Sequence, residues 1–201
     1  MTKIFRHIFL SILFCAVATD VISDGTAIQF KVKLQANTEG EKLAKLQLEQ
    51  ISAKYDLRKW IQTKAIVFDE TTIPHSHPVL TLHARHLKDD GLFLSTFIHE
   101  QMHWWLAKHK KQTAAAMRDL KAIYTTLPVG YPDGADSLEA SYEHLLVNCL
   151  ELDAVRTLLG EAEESRILGF WSGDHYRKLY LTVGQDREKI RAILRKHGLL
   201  L

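Results

Sequence analysis

Two histidines at positions i and i+4 stand in the segment FIHEQMHWWL, residues 97 to 106. On a helix, His99 and His103 lie one turn apart and about 40° apart around the axis, so both imidazoles can reach one metal ion. Glu100 points to the side of this pair, where a carboxylate can hold a metal-bound water and take its proton during attack on a carbonyl. The spacing predicts a hydrolytic zinc site with His99 and His103 as ligands and Glu100 as general base.

The residues around this motif favour a functional metal site over a chance spacing, although a chain with 11 histidines can produce the spacing by chance. The flanking side chains are apolar, among them Phe97, Ile98 and Met102, and predict that the helix is buried. Two histidines and a glutamate inside an apolar helix need polar partners, and a metal ion would satisfy them.

A catalytic zinc ion has three protein ligands and one open position, so a third ligand is expected. The segment LEASYEHLLVNCLELDAVRTLLG, residues 138–160, predicts a helix that is apolar on most sides, with His144, Asn148 and Glu151 on one polar stripe. His144 and Glu151 are about 10.5 Å apart along the axis, which indicates that only one of them binds the metal. We expect His144 because it completes an all-histidine site, and Glu151 is the alternative. Glu143 points away from the stripe and is set aside.

Both candidates for the third ligand also have purely structural interpretations. His144 could be a hydrogen-bonded core histidine, and Glu151 could bond to Asn148 or pair with a charge on another element.

His175 and Tyr176 are candidates for stabilising the oxyanion that forms when a carbonyl is attacked, because this task needs a donor near the metal but not bound to it. Their alternative role is to cap and pack the start of a C-terminal helix.

A histidine-rich stretch, HSHPVLTLHARH, precedes the motif. Its histidines could form a second metal site, but lining a cleft or the surface is the favoured interpretation; they are His75, His77, His83 and His86. If one of them acts, we expect His77. The stretch reads as a strand, with which an extended substrate could pair by its backbone.

The remaining pattern gives the elements that position these residues. Periodicity predicts strands within 26–36, 63–70 and 77–87, a helix over 41–57, the motif helix from Leu92 to about Lys110, a loop over 125–137, the helix of 138–160, and C-terminal helices over 174–198. Asp136 is the predicted N-cap of the 138–160 helix, with Glu139 completing a capping box, and Gly160 ends this helix. The order predicts an α+β fold.

The composition and the first residues of the chain narrow the class of protein. The 201 residues, 46% hydrophobic and 25% charged, suit one domain. Residues 1–18 place Lys3 and Arg6 before an apolar run that ends in Ala16-Val17-Ala18, which predicts a cleavable signal peptide rather than a membrane anchor. The mature protein, residues 19–201, would then be secreted or periplasmic, without stable membrane insertion.

Charge and cysteine usage exclude two further features. Cleavage after Ala18 removes two basic residues and leaves equal numbers of basic and acidic ones, with no basic patch, so a nucleic-acid partner is not expected. Only Cys149 remains in the mature chain, so no internal disulfide can form.

The motif with a later ligand on a separate helix resembles the zincin superfamily of metallopeptidases. The segments SHPVLTLH, STFIHEQMHWWL, SYEHLLVNCLE and DHYRKLY are similar to segments of small, uncharacterised exported bacterial proteins assigned as metallopeptidases, and they span about residues 75–180. The resemblance implies a zincin-like fold, with a small N-terminal sheet, the motif helix at a cleft and a helical C-terminal half. No glycine and third histidine follow shortly after His103, and no clear Asn-Glu-x-x-x-Asp occurs, which leaves the third ligand open.

The sequence therefore predicts a zinc metallopeptidase that acts on a peptide or protein substrate. Two alternatives use the same residues: a non-catalytic zinc-binding module that binds a partner through its cleft, and an amidase that acts on a non-protein amide.

Overall fold

A computed structural model of the chain describes residues 28–201. The predicted signal peptide, residues 1–18, lies outside this range. The elements in order are β1 (Lys31–Leu34), α1 (Glu39–Lys54), β2 (Ala65–Phe68), β3 (Leu80–Leu82), α2 (Asp90–Lys108), α3 (Lys110–Ile123), α4 (Leu138–Leu159), α5 (Glu161–Asp174) and α6 (Arg177–Lys196). The predicted α+β class is confirmed. In the described range, no helix has both the length and the apolar character of a membrane span.

The three strands form one small parallel sheet in the order β1-β2-β3. Helix α1 makes the crossover between β1 and β2, as a parallel pair requires. Core residues of the sheet are Ile66, Phe68, Leu80 and Leu82, each no more than 1% exposed.

The predicted strand over 77–87 is mostly wrong. Only Leu80–Leu82 are in a strand, and all three residues are buried, so no polar face alternates with an apolar one. The chain turns after Leu82 because His83 Nδ1 accepts the Arg85 backbone amide at 2.9 Å.

Helices α2 and α4 pack against each other and form the centre of the helical part. Helix α2 begins after Asp89, whose side chain accepts the Leu92 amide at 2.9 Å. Ser137, not the predicted Asp136, caps α4, because its hydroxyl accepts the Ala140 amide at 3.1 Å. Gly160 ends α4 as predicted, with φ of +89°.

The loop between α3 and α4 is fixed by close backbone packing. Gly134 lies so near the Pro128 carbonyl that a Cβ at this position would be 2.0 Å from its oxygen. The Ser141 hydroxyl donates to the same carbonyl at 2.6 Å, and Pro132 accepts the Arg177 amide at 3.0 Å. The loop thereby fixes the start of α6, where Tyr176 lies.

One side chain of the motif helix holds the connection between α1 and β2. Gln101 is fully buried, and its Oε1 accepts the backbone amides of Gln62 at 2.7 Å and Thr63 at 2.9 Å. Its Nε2 donates to the Thr63 carbonyl at 2.9 Å. A polar residue between the two motif histidines therefore joins the sheet side of the protein to the site.

Replacing Gln101 with Leu leaves these three backbone groups without partners. We expect a loss of about 2–4 kcal/mol in the free energy of unfolding, measured by urea denaturation. The control is Gln112→Leu on the exposed face of α3, which should change stability by less than about 0.5 kcal/mol. Equal effects of the two substitutions would contradict the role given to Gln101.

Candidate metal centre

Three histidines converge between α2 and α4. One ring nitrogen each of His99, His103 and His144 lies within 4.8 Å of the others. Ring centroids are 5.1 Å apart for His99 and His103, 5.4 Å for His99 and His144, and 4.9 Å for His103 and His144. Within residues 28–201, no other group of three such side chains comes this close. The three histidines lie close enough to hold a metal ion.

The second nitrogen of each ring is already engaged. Nδ1 of His99 lies 3.0 Å from Glu151 Oε2, Nδ1 of His103 lies 3.0 Å from Glu143 Oε1, and Nδ1 of His144 lies 2.8 Å from the Ala140 carbonyl oxygen. These oxygens accept, so each Nδ1 donates and each Nε2 is the nitrogen left for a ligand. The arrangement offers three Nε2 atoms to a metal ion, and each ring is supported by an outer partner.

Burial favours the metal-binding form of two of the three histidines. Desolvation, together with repulsion from neighbouring histidines, holds the pKa of His99 well below its usual value and lowers that of His144 to about 4. Neutral imidazoles are the form that binds a metal. Three imidazoles with outer partners fit the donor set of a zinc site that has one open position.

Glu100 lies beside His99 and is 6% exposed. Burial raises the pKa of its carboxyl to about 7, and only the charge of His103 opposes this shift. Among the hydrogen bonds of residues 28–201, none involves this carboxylate. A buried carboxylate without a partner is costly, which makes it the unusual group of the site.

Glu151 is fully buried behind His99 and lies outside the histidine cluster. Besides the His99 ring, it accepts the Tyr180 hydroxyl at 2.7 Å and the Ser95 hydroxyl, and Ser95 accepts the Trp171 indole N–H at 2.8 Å. Sequence analysis missed these supporting residues, because they are spread over three helices. Glu151 has no hydrogen bond to Asn148, whose amide atoms are buried without partners among the described residues.

Glu143 has a supporting role that the sequence did not predict. It does not belong to the group of converging ligand atoms, in agreement with its exclusion as a ligand, but its carboxylate bonds to His103 across the gap between α4 and α2. This bond lowers the pKa of the Glu143 carboxyl. A glutamate side chain is long enough to leave the stripe of its own helix and still reach the site.

Tyr176 lies directly against the histidine cluster. Its ring centroid is 4.2 Å from that of His144 and 6.2 Å from that of His99. Its backbone has φ of +52°, a left-handed conformation that is rare for a tyrosine and that the surrounding structure must impose. Burial raises the pKa of the hydroxyl to about 12, so it stays protonated and able to donate.

His175 is held from behind by a charged pair. Its Nδ1 lies 2.8 Å from Asp174 Oδ2, and Asp174 also accepts two bonds from the Arg85 guanidinium. The ring packs against Tyr176, with centroids 4.9 Å apart. With Nδ1 bonded to Asp174, Nε2 is the nitrogen left to meet a ligand.

The histidines of 75–86 do not converge on one point, although the ring centroids of His83 and His86 are 6.5 Å apart. His75 pairs with Thr81, His77 stacks on Trp104 with centroids 4.2 Å apart, and His86 packs edge-on against Trp171. They form no second metal cluster in the described part of the chain. Cys149 is buried, and its raised pKa keeps the thiol protonated, in agreement with an unreactive core role.

Comparisons with models of protein families, with curated proteins and with solved structures found no match. The zincin resemblance therefore stays a prediction from the motif.

Separate roles for His144 and Glu151 lead to different effects on zinc binding. His144→Ala removes one of the three converging nitrogens, and we expect the variant to lose zinc during gel filtration. Glu151→Gln keeps the ligands and should weaken binding by about 10–100-fold while one zinc per chain still binds. Elemental analysis and titration against a chromophoric chelator measure both, with His197→Ala at the end of α6 as control. Loss of all zinc with Glu151→Gln, but not with His144→Ala, would reverse the assignment.

The pKa of Glu100 makes the stability of the metal-free protein depend on pH. A raised pKa means that folding is favoured below the ordinary value of 4.5 and that this advantage is lost as pH rises through about 7. Glu100→Gln has no carboxyl at this position and so has no such loss. The free energy of unfolding of the variant should therefore rise relative to that of the native protein between pH 4.5 and 8, by up to roughly 3 kcal/mol. Urea denaturation across this range measures the difference. For Glu188→Gln, at a carboxylate that is 81% exposed, the difference should stay flat; a flat difference for Glu100→Gln as well would be contrary to the burial argument.

Proposed function

We propose that the chain is an exported, zinc-dependent hydrolase of the zincin type, a metallopeptidase that hydrolyses peptide bonds. One observation carries the proposal: three imidazoles converge beside a buried carboxylate, Glu100, that has no hydrogen-bond partner of its own among residues 28–201. A purely structural metal site has no use for such a carboxylate. The signal-peptide pattern in the sequence of residues 1–18 supports the proposed export.

His99, His103 and His144 would hold the zinc ion through their Nε2 atoms. When bound, zinc supplies Lewis acidity, which polarises a carbonyl and lowers the pKa of water. Glu151 and Glu143 orient the imidazoles of His99 and His103 by accepting their Nδ1 protons. We assign Glu151 this supporting role because its oxygens already accept bonds from Ser95, Tyr180 and His99.

Glu100 is the general base. It accepts a proton from the attacking water and passes it to the leaving amine, so it must both take and release a proton near neutral pH. Burial brings the pKa of its carboxyl to about 7, which suits this exchange. The absence of other hydrogen bonds leaves the carboxylate free to hold water.

Tyr176 and His175 are assigned to the oxyanion that forms on the attacked carbonyl. The Tyr176 hydroxyl stays protonated at neutral pH and can donate to that oxygen. Asp174 fixes the His175 ring by accepting its Nδ1 proton, and Arg85 fixes Asp174 in turn. Arg85 and Asp174 are therefore positioning residues.

Glu100→Gln should separate catalysis from metal binding. Gln has nearly the same shape but cannot take the proton, so we expect one zinc per chain, an unchanged fold and a loss of about 10²–10⁴-fold in hydrolysis. Rates are measured on a mixed library of short peptides by mass spectrometry, with zinc content determined on the same samples.

Glu143→Gln is the matched control for this experiment. It changes another glutamate of the site, and at saturating zinc it should keep most of the turnover. A native protein that binds one zinc and cleaves no peptide would favour the non-catalytic module, and cleavage of only non-peptide amides would favour the amidase.

A further inference from the structure

The free side of β3 is the place where an extended substrate would be expected to pair with the sheet. Thr81 uses its backbone on that side for His75: the Thr81 amide donates to the His75 carbonyl at 2.8 Å, and the His75 amide donates to the Thr81 carbonyl at 3.1 Å. The chain itself thus occupies the central pairing position of β3. The predicted pairing of a substrate with this strand is blocked at Thr81.

The segment 73–77, which occupies that position, is itself a poor edge for the pairing of an added strand. Residues on either side of His75 direct their backbone groups away from β3, as alternation in an extended pair requires. Pro74 has no N–H to offer, and the Ser76 carbonyl already accepts the Trp104 indole N–H at 2.8 Å. Two of the four backbone groups that an added strand would use at Pro74 and Ser76 are therefore lost.

The same segment presents a side chain to the rim of the metal centre. Trp104 directly follows His103 on α2, and the exposed His77 ring stacks on its indole with centroids 4.2 Å apart and planes 23° apart. Burial lowers the pKa of His77, and the ring lies near enough to His103 and Glu143 for their charges to affect it as well. Nδ1 of His77 is 2.9 Å from the Ser76 hydroxyl, so the ring is held in place.

Two exposed apolar side chains lie near His77 in the sequence: Ile73 is 76% exposed and Val79 is 36% exposed. The stack itself carries the argument, because a planar ring held on an indole suits contact with an aromatic or large apolar side chain.

We infer, on the basis of the proposed function, that the metal centre takes short peptides by a side chain packed on the His77–Trp104 stack, and not polypeptides added as a β-strand. His77 is a specificity-determining residue in this arrangement. Binding depends little on peptide length or on backbone N–H groups, and depends strongly on one large apolar side chain beside the scissile bond.

Peptide hydroxamates test the first part with zinc-loaded residues 19–201. The series runs from acetyl-Phe hydroxamate to the same compound extended by one, two or three alanines, each also made with N-methylated alanines. We expect affinities within about threefold of one another, measured by calorimetry. Affinity that rises by about 3–10-fold with each alanine and is lost on N-methylation would overturn the inference.

The preference for a large apolar side chain is tested with acetyl-Ala hydroxamate as the reference compound. In the native protein, acetyl-Phe hydroxamate should bind more than about tenfold tighter, and His77→Ala should reduce this preference to under about threefold. The matched control is His109→Ala, which removes the ring of another histidine–tryptophan pair, that of His109 and Trp105, with centroids 3.8 Å apart. A preference that survives His77→Ala would exclude the proposed role of His77.

Zinc analysis of the same samples separates the two proposals. Absence of zinc would contradict both the proposed function and this inference. A chain that holds zinc and binds longer peptides through their backbone removes only the inference.

Discussion

An imidazole packed between helices needs a hydrogen-bond partner for the ring nitrogen that does not face a ligand, and this requirement applies three times at one point of the molecule. Helix α4 supplies the partner for all three histidines. Glu151 accepts from His99, Glu143 from His103 and the Ala140 carbonyl from His144, which itself lies on the same helix. The packing of α4 against α2 therefore fixes the orientations of all three rings.

The carboxylate that accepts from His99 needs hydrogen-bond donors of its own, and other helices supply them. The buried Glu151 carboxylate receives Ser95 from α2 and Tyr180 from α6, and Ser95 receives Trp171 from α5. Three helices thus meet at one carboxylate, and α5 is joined to it through Ser95. Burial raises the pKa of this carboxyl, and the bonds from Ser95 and Tyr180 oppose that rise by favouring the ionised form that accepts them.

Local spacing allowed much of this arrangement to be predicted. The placement of His99, Glu100 and His103 depends only on helix geometry, and the stripe of His144 and Glu151 follows from the same 100° step. The role of Glu143 could not be predicted, because a helical wheel gives direction around one axis but not reach across a gap. The role of Gln101 could not be predicted either, because its hydrogen-bond partners are backbone groups, which no residue pattern in the sequence identifies.

The sheet was less predictable than the helices for a related reason. Alternation over 77–87 suggested a long strand, but a side chain, His83, captured a backbone amide and turned the chain. Competition between side chains and the backbone for hydrogen bonds is decided by tertiary position. The same limit applies to Asp136 and Ser137, two adjacent residues that can both cap a helix.

Because α4 supplies one ligand and all three outer acceptors, the spacing within it is as constrained as the spacing within the motif helix. One residue inserted between His144 and Glu151 would rotate the glutamate by about 100° and remove it from His99. Insertions in the connection to α3 have no such effect on these distances within α4. A relative of this protein should therefore combine His-Glu-x-x-His with a later Glu-His-x-x-x-x-x-x-Glu, at a variable separation. This paired signature can identify the centre even when the rest of the sequence has diverged.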